Sequence, residues 1–480
     1  MVAFIPPKQA GKYKAVASGA ITNGKPVIVN TNGTVTALSG NAASTGTAVI
    51  FESNSIGAAE ATFDSENNKV IIYYSWASHP TYYSKVVVGT VSGTSISFGS
   101  PVQMAQRGFY ESLTFDTNTN RVVIVYASVP NSNYGTAVVG AVSGTSISFG
   151  TPVVYESAYA ENSQVTFDSN SNKIVVAYTD DGNSDHGTAI VGTVDSSDNS
   201  ISFGSPVVFE SAETQDIGIT FDSNSNKIVI AYRDAGNSGY GTAIVGTVSG
   251  TSISFGTPVV YGSYTAQHNR PRFNSNDNTI VISHTNNGAS RGAGIVGTVS
   301  GTSISFGTAA TYGSATPSDP RAIFDTSRNQ LVVSHIADSK GKFAVGTVSG
   351  TSISFDTPTV FEEGSINTSG ITFDSNSNKV VVGYMDGGDS NKGKAVVFSG
   401  STLTATLTTE NYIGIASGGT YADTAEATID VVGTVNKDQS GLTAGQTYYV
   451  QTDGTLGTSA DSPSVVAGTA ISATEIIVKG

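Results

Sequence analysis

The side chains with chemistry to offer are few: five histidines, eight arginines, one tryptophan and no cysteine in 480 residues. Glu111, Glu161, Asp181 and Asp216, with Arg270, Arg272 and Arg321, are the residue types of a glycoside-cleaving site. There one carboxyl donates a proton and a second acts as base or nucleophile. Their spacing selects no pair, and the chain has no nucleophile elbow, zinc motif or phosphate loop. No catalytic residue is assigned, and the expectation is a protein that is not an enzyme. The recurring Asp-x-Asn-x-Asn, as in Asp222-Asn224-Asn226, shares the opening of a calcium loop but lacks its glycine and its distant glutamate. An Asx-type hairpin turn is the simpler reading. Asp180, Asp181, Asn183 and Asp185 make a denser oxygen cluster in one loop only, which leaves calcium open there; no metal ligand is assigned and no cofactor is expected.

What remains suits binding. Trp76, His79, Tyr82, Arg107, Tyr159, His186, Arg233, Tyr240, His268, Arg270, Arg272, Arg291 and Arg321 supply aromatic faces, guanidinium groups and imidazoles for a glycan or protein surface. A further row, Tyr74, Tyr126, Tyr178, Tyr232, His284, His335 and Tyr384, recurs once per repeat and reads as packing with a polar tip.

These positions make sense only against an internal repeat. The anchor Thr-Phe-Asp, or a relative of it, places phenylalanine at 63, 115, 167, 221, 273, 324 and 373, in steps of 52, 52, 54, 52, 51 and 49. A period of this size signals a propeller or a solenoid. In the third copy Val165-Thr166-Phe167-Asp168 reads as a strand and Ser169-Asn170-Ser171-Asn172 as a turn. Lys173-Ile174-Val175-Val176-Ala177-Tyr178 is apolar on both faces and belongs between two layers. A loop, a Gly-Thr-Ala-Ile-Val-Gly strand and the alternating Ile201-Ser202-Phe203 follow, before Gly204-Ser205-Pro206 breaks the line. Four antiparallel strands per copy and no helical period predict an all-β fold, a seven-bladed β-propeller over residues 47–406; a stacked β-solenoid is the alternative.

Comparing the copies with one another separates two faces. The turns after the first and third strands are nearly uniform, with Asp-Ser-Asn-Ser-Asn from Asp168, Asp222 and Asp374. The loops after the second strand and the links between copies differ almost everywhere, and all five histidines and six of the eight arginines fall on or beside them. Function concentrates on loops held by a rigid scaffold; neutral drift of solvated loops is the competing explanation.

With 23 Lys+Arg against 37 Asp+Glu, the charge of −14 argues against nucleic acid as a partner. No apolar run approaches the roughly 18 residues of a membrane helix, and the first residues lack a signal-peptide pattern. Folding in a cytoplasm without membrane insertion is expected. The flanks, 1–46 and 407–480, are related to each other. Ile21-Thr22-Asn23-Gly24-Lys25-Pro26-Val27-Ile28-Val29 with Asn32-Gly33 parallels Leu442-Thr443-Ala444-Gly445-Gln446-Thr447-Tyr448-Tyr449-Val450 with Asp453-Gly454. Both are small β-modules with hairpin signals, expected to pair with each other, with the propeller or with neighbouring copies.

The C-terminal flank resembles a module of tailed-bacteriophage structural proteins, including tail-fibre and appendage proteins of marine phages. The resemblance rests on Glu410-Asn411-Tyr412-Ile413-Gly414-Ile415-Ala416, Gln439-Ser440-Gly441-Leu442-Thr443-Ala444-Gly445-Gln446-Thr447-Tyr448-Tyr449-Val450, Ala467-Gly468-Thr469-Ala470-Ile471 and Ile476-Ile477-Val478-Lys479-Gly480. It implies a virion location, other virion proteins as partners and a homo-oligomer. The expected function is a tail fibre, tail tip or head appendage whose variable face meets a host cell-surface glycan or a neighbouring virion protein. A purely structural fibre or decoration subunit and a polysaccharide-processing enzyme are the alternatives.

Overall fold

A computed structural model describes residues 11–38, 40–41, 43–76, 83–400, 402–403, 407–451, 454–460 and 464–479. They are strands, turns and four single-turn 3-10 segments, with no α-helix among the described residues. The chain divides into two compact units, Thr45–Ser399 and the combined flanks Met1–Ser44 and Gly400–Gly480.

In the larger unit every repeat becomes an antiparallel sheet. For the third, the second half of the 16-residue strand Val153–Asp168 pairs with Lys173–Asp180, from Asp168 opposite Lys173 to Ala160 opposite Asp180. Lys173–Asp180 pairs with His186–Asp195, and the far end of that strand pairs with Ser200–Phe203. Its near end pairs with the start of the next long strand, Val207–Asp222, with Ala189 opposite Val207 and His186 opposite Glu213. The outermost strand is thus built in two pieces, and one continuous strand then crosses to become the innermost strand of the next repeat. Gly204 marks the break for a packing reason, because a Cβ there would collide with the Thr251 carbonyl of the next repeat's turn. The organisation is propeller-like.

The doubly apolar second strands lie between layers, as their sequence requires. Ile174, Val176 and Tyr178 pack on Val123, Val125 and Val139 of the preceding repeat, while Val175 and Ala177 pack on Phe221, Ile228 and Ile230 of the following one. The same pattern joins every successive pair. It also joins last to first: Val381 and Val397 of the seventh repeat share a core with Val70, Ile72 and Tyr74 of the first. Residues 49–55 supply the outer strand of the seventh sheet, with Ala395 opposite Val49 and Lys392 opposite Ser55.

In the flank unit, Lys12–Val16, Glu426–Asp430, Tyr412–Ala416, Pro26–Val29 and Val35–Ala37 form one sheet in that order. Val435–Asn436, Ile476–Val478, Val466–Ala470, Thr447–Val450 and Leu456–Gly457 form a second. Ile28, Leu38 and Tyr412 of the first share a core with Val450 and Ala467 of the second. The internal likeness is structural too: Asn30 N donates to Thr34 O at 2.8 Å, and Gln451 N to Thr455 O at 2.9 Å, closing equivalent hairpins. The first sheet needs both flanks, since Lys12–Val16 pairs with Glu426–Asp430 and Pro26–Val29 with Tyr412–Ala416, whereas the second is built from the C-terminal flank. The compact units part at 44/45 and 399/400, each a few residues N-terminal to the borders of 46/47 and 406/407 read from sequence.

Candidate functional site

The register of the sheets sorts loops to two ends. Asp168 opposite Lys173, and Asp195 opposite Ser200, put the uniform turns at one end. Asp180 opposite both Ala160 and His186 puts the variable loops and links at the other. The uniform turns spend their carboxylates on themselves: Asp168 Oδ1 accepts from Asn170 N at 2.9 Å and Ser171 N at 3.1 Å, and Asp222 repeats this. In the loop with the denser oxygen cluster, Asp181–Asn183 is a 3-10 turn whose counterparts after Asp234 and Asp386 are capped by those carboxylates.

The innermost strands of all seven repeats line one polar cavity. Its deeper row comprises Thr62, Thr114, Thr166, Thr220, Arg272, Ile323 and Thr372, the residues just before each anchor phenylalanine. Two residues earlier stand Glu60, Ser112, Gln164, Arg270 and Arg321, with glycines at the matching positions 218 and 370. Gly218 and Gly370 have no alternative, since a Cβ would meet the Asn269 carbonyl or the Glu60 backbone.

Above this row the inner strand bulges in every repeat. In five consecutive repeats the first bulged residue takes positive φ: Tyr110 at 54°, Asn162 at 49°, Asp216 at 51°, His268 at 53° and Asp319 at 42°. A bulge re-aims a side chain, and left-handed backbone on non-glycine residues is held only where surrounding structure demands it. All five line the outer part of the cavity, ≈ 320 Å³ in volume, within the range of small-ligand sites (about 300–1,000 Å³). Tyr110 is exposed at this mouth and meets Tyr159 at 6.1 Å between centroids, while its exposed chain neighbour Phe109 carries Arg107 4.7 Å over its ring.

Charge is gathered on one side. Arg321 bridges Glu60 at 2.8 Å and Asp319 at 3.1 Å, and Arg233 holds Asp216 at 3.3 Å. Burial raises the Glu60 pKa, although Arg321, Arg270 and Arg272 oppose it. Burial also works against the Arg321 cation, but Asp319, Glu60 and Glu111 outweigh it and its pKa sits above the ordinary value. Arg270 is pulled down to about 10 by burial and by Arg321, and Arg272 to about 10 by burial, so both stay charged at neutral pH. Burial and Arg270 lower His268, against the pull of Asp216.

Glu111 stands at the edge of this network. Tyr73 Oη donates to its Oε1 at 2.6 Å, yet burial still raises its pKa from 4.5 to about 7. The fold therefore favours the protonated carboxyl. This stabilisation is complete below pH 4.5 and is lost as pH rises through 7. Glu111→Gln, permanently neutral, is expected to remove the loss, so wild-type stability should fall relative to the variant between pH 4.5 and 7. Parallel denaturation profiles over that window would contradict the assignment.

The structure places the sequence-selected residues in two groups. His268, Arg270 and Arg321 line the mouth, Arg272 the deeper row, and Arg233 reaches the site through Asp216. Arg107 and Tyr159 lie on the links between repeats, and His186, Tyr240 and Arg291 each open a third strand; none of the five lines the cavity. Trp76 ends the second strand of the first repeat, opposite Ile56 and Tyr83 in the ladder, while His79 and Tyr82 lie outside the described residues. Of the carboxylates considered for catalysis, Glu111 and Asp216 line the cavity; Glu161 and Asp181 do not. Glu60, Asp319 and Asn162 were not singled out from sequence. The available signal was the residue three before each anchor phenylalanine, which changes from Glu to Ser, Gln, Gly or Arg while its surroundings repeat.

The once-per-repeat Tyr/His row does not line the cavity; it is fully buried between repeats. Tyr74, Tyr178, Tyr232 and Tyr384 each donate to a glutamate 22 residues earlier, at 2.8–3.0 Å. In the fifth and sixth repeats the glutamate is Gly262 or Gly313, and the tyrosine is His284 or His335. Partner and acceptor change together because a buried hydroxyl without an acceptor is costly. Tyr264 takes the space beside Gly262, stacks on His284 and meets its Nε2 at 2.8 Å.

Fold and site together define an all-β, propeller-like repeat protein with a polar cavity on its inner strands. No protein family and no curated protein matches the chain. Among solved structures 508 chains match. A Lactobacillus plantarum protein is 12% identical, with 75% of this chain and 98% of that one covered and a TM-score of 0.48. A chain of a mitotic checkpoint complex is 6% identical, covering 74% and 94%, with a TM-score of 0.49. No helix among the described residues is long and apolar enough to cross a membrane.

Proposed function

We propose that the larger unit is a closed seven-bladed propeller acting as a non-enzymatic binding module, and that the protein is a bacteriophage virion component of the tail-fibre, tail-tip or appendage kind. Closure is supported by the seventh repeat borrowing residues 49–55 for its outer strand and sharing a core with the first. A solenoid would leave its end repeats apart. The virion context rests on the C-terminal residues that resemble phage structural modules, with virion proteins and further copies of this chain as partners.

One observation carries the binding role: Tyr110, Asn162, Asp216, His268 and Asp319, which differ at one structural position of five consecutive repeats, meet at one mouth on bulged backbone. Exposed Tyr110 offers an aromatic face, and Asn162, Asp216 and His268 offer polar groups, a combination that suits a sugar ring with its apolar face and hydroxyl edge. A host surface glycan is the ligand class. The full chain on a glycan array is expected to retain a defined set of saccharides, and Tyr110→Ala to lose them without a change in melting. Retention of nothing would leave a structural fibre or decoration subunit as the function, and product release from a polysaccharide would replace binding by catalysis.

A further inference from the structure

The deeper cavity is built for an anion. Four titratable side chains line it: Arg270, Arg272, Arg321 and Glu60. Around them stand five threonines, a serine and a glutamine, in a chain whose net charge is −14. Glu60 and Asp319 are both committed to Arg321. That leaves Arg270 and Arg272 without a carboxylate in contact. Arg270 is 9% exposed; one NH1 proton goes to the Asn269 carbonyl at 3.2 Å, and its Nε meets no partner. Arg272 is fixed by the carbonyls of Ala322, at 2.7 Å from Nε, and Pro271, at 2.8 Å from NH1. A guanidinium carries five N–H donors, so each keeps most of them unused.

Burying donors and a positive charge without an acceptor is unfavourable, and the five repeats with threonine before the anchor show that the scaffold needs no arginine there. Two guanidinium forks two residues apart on one inner strand, in a cavity also lined by threonine side chains, match the oxygens of a carboxylate, sulfate or phosphate. We propose that Arg270 and Arg272 bind one small oxyanion in the channel, either the acidic group of a saccharide entering by the mouth or the free inorganic ion. The saccharide source rests on the glycan-binding reading given above; the anion site itself does not.

The repeats supply their own control substitutions. Arg272→Thr installs the residue of five other repeats, and Arg270→Gln that of the third, Gln164. Calorimetric titration of the full chain with sodium sulfate, sodium phosphate, glucuronate and glucose, at constant ionic strength set by sodium chloride, tests the site. Saturable binding of at least one anion, one per chain, is expected, weakened about tenfold or more in both variants. Arg291→Ala, at the start of a third strand and not part of the cavity lining, should bind as wild type does. Glucuronate binding tighter than the free ions marks the saccharide as the source; equal affinities mark the free ion. The proposal is overturned by the absence of saturable anion binding in the low-millimolar range, by glucose binding as well as glucuronate, or by unchanged binding in variants that melt normally. Array glycans bound through Tyr110 without any anion binding would remove this inference and keep the glycan reading. Anion binding with no glycan retained would do the reverse.

Discussion

Replacing Phe51 with alanine is expected to destabilise the larger unit by about 3–5 kcal/mol, as much as the same change at Phe209. Phe51 lies on a strand of the seventh sheet and packs in the core that the seventh repeat shares with the first. Its strand pairs with the third strand of the seventh sheet, and its ring lies 5.2 Å from Tyr74 and 5.6 Å from Phe98 of the first repeat. Phe209 makes the matching contacts, 5.4 Å to Tyr232 and 5.7 Å to Phe255, at an interior junction. Both rings are 7% exposed, so the cavities left behind should be similar. Chemical denaturation of the two variants compares the junction of the seventh and first repeats with an interior one. A cost below about 1 kcal/mol for Phe51→Ala, beside a full cost for Phe209→Ala, would mean that the ring is open where its ends meet.

Acid should act through the two buried histidines. Burial holds His284 and His335 at about 4, against 6.5 for an exposed imidazole. Above pH 6.5 neither state is charged and the shift has no effect. As pH falls below 6.5 the unfolded chain takes up protons that the folded one refuses until about 4, so stability is lost across that window. Each shift of about 2.5 pH units is worth on the order of 3 kcal/mol, and the pair about twice that. Glu111 acts in the opposite direction over part of the same range, which is why the comparison is made between variants. His335→Phe keeps a ring against Tyr312, whose centroid is 5.3 Å away. Wild type should lose on the order of 3 kcal/mol more than His335→Phe between pH 7 and 4. Equal losses would show that His335 gains its proton in the folded state without penalty.

The two-flank unit changes what a truncation can test. Removing residues 410–480 strips Lys12–Val16 and Pro26–Val29 of their neighbours Glu426–Asp430 and Tyr412–Ala416. A fragment spanning 45–399 is therefore the one that isolates the repeats.

The sequence by itself determined the period, the strand order within each repeat and the division into uniform and variable ends. These are local: an Asx turn needs only its own four residues, and a strand apolar on both faces must lie between layers wherever it goes. The once-per-repeat Tyr/His row was legible as buried packing with a polar tip, but the hydrogen bond from tyrosine to a glutamate 22 residues earlier came only with the structure. The likeness of the flanks was legible in their shared hairpins. Tertiary structure alone decided which variable residues meet. Glu60, Asp216, Arg270, Asp319 and Arg321 come from four repeats and up to 261 positions apart, and nothing local says that they face one cavity. It also decided that Arg291 stays outside while Arg272 goes in. Both are arginines in the fifth repeat, but one ends a loop and the other occupies the inward register of an inner strand. Side-chain direction in a strand alternates with period two, so the face a residue presents is set by the register of its sheet and its bulge, which only the assembled neighbours fix.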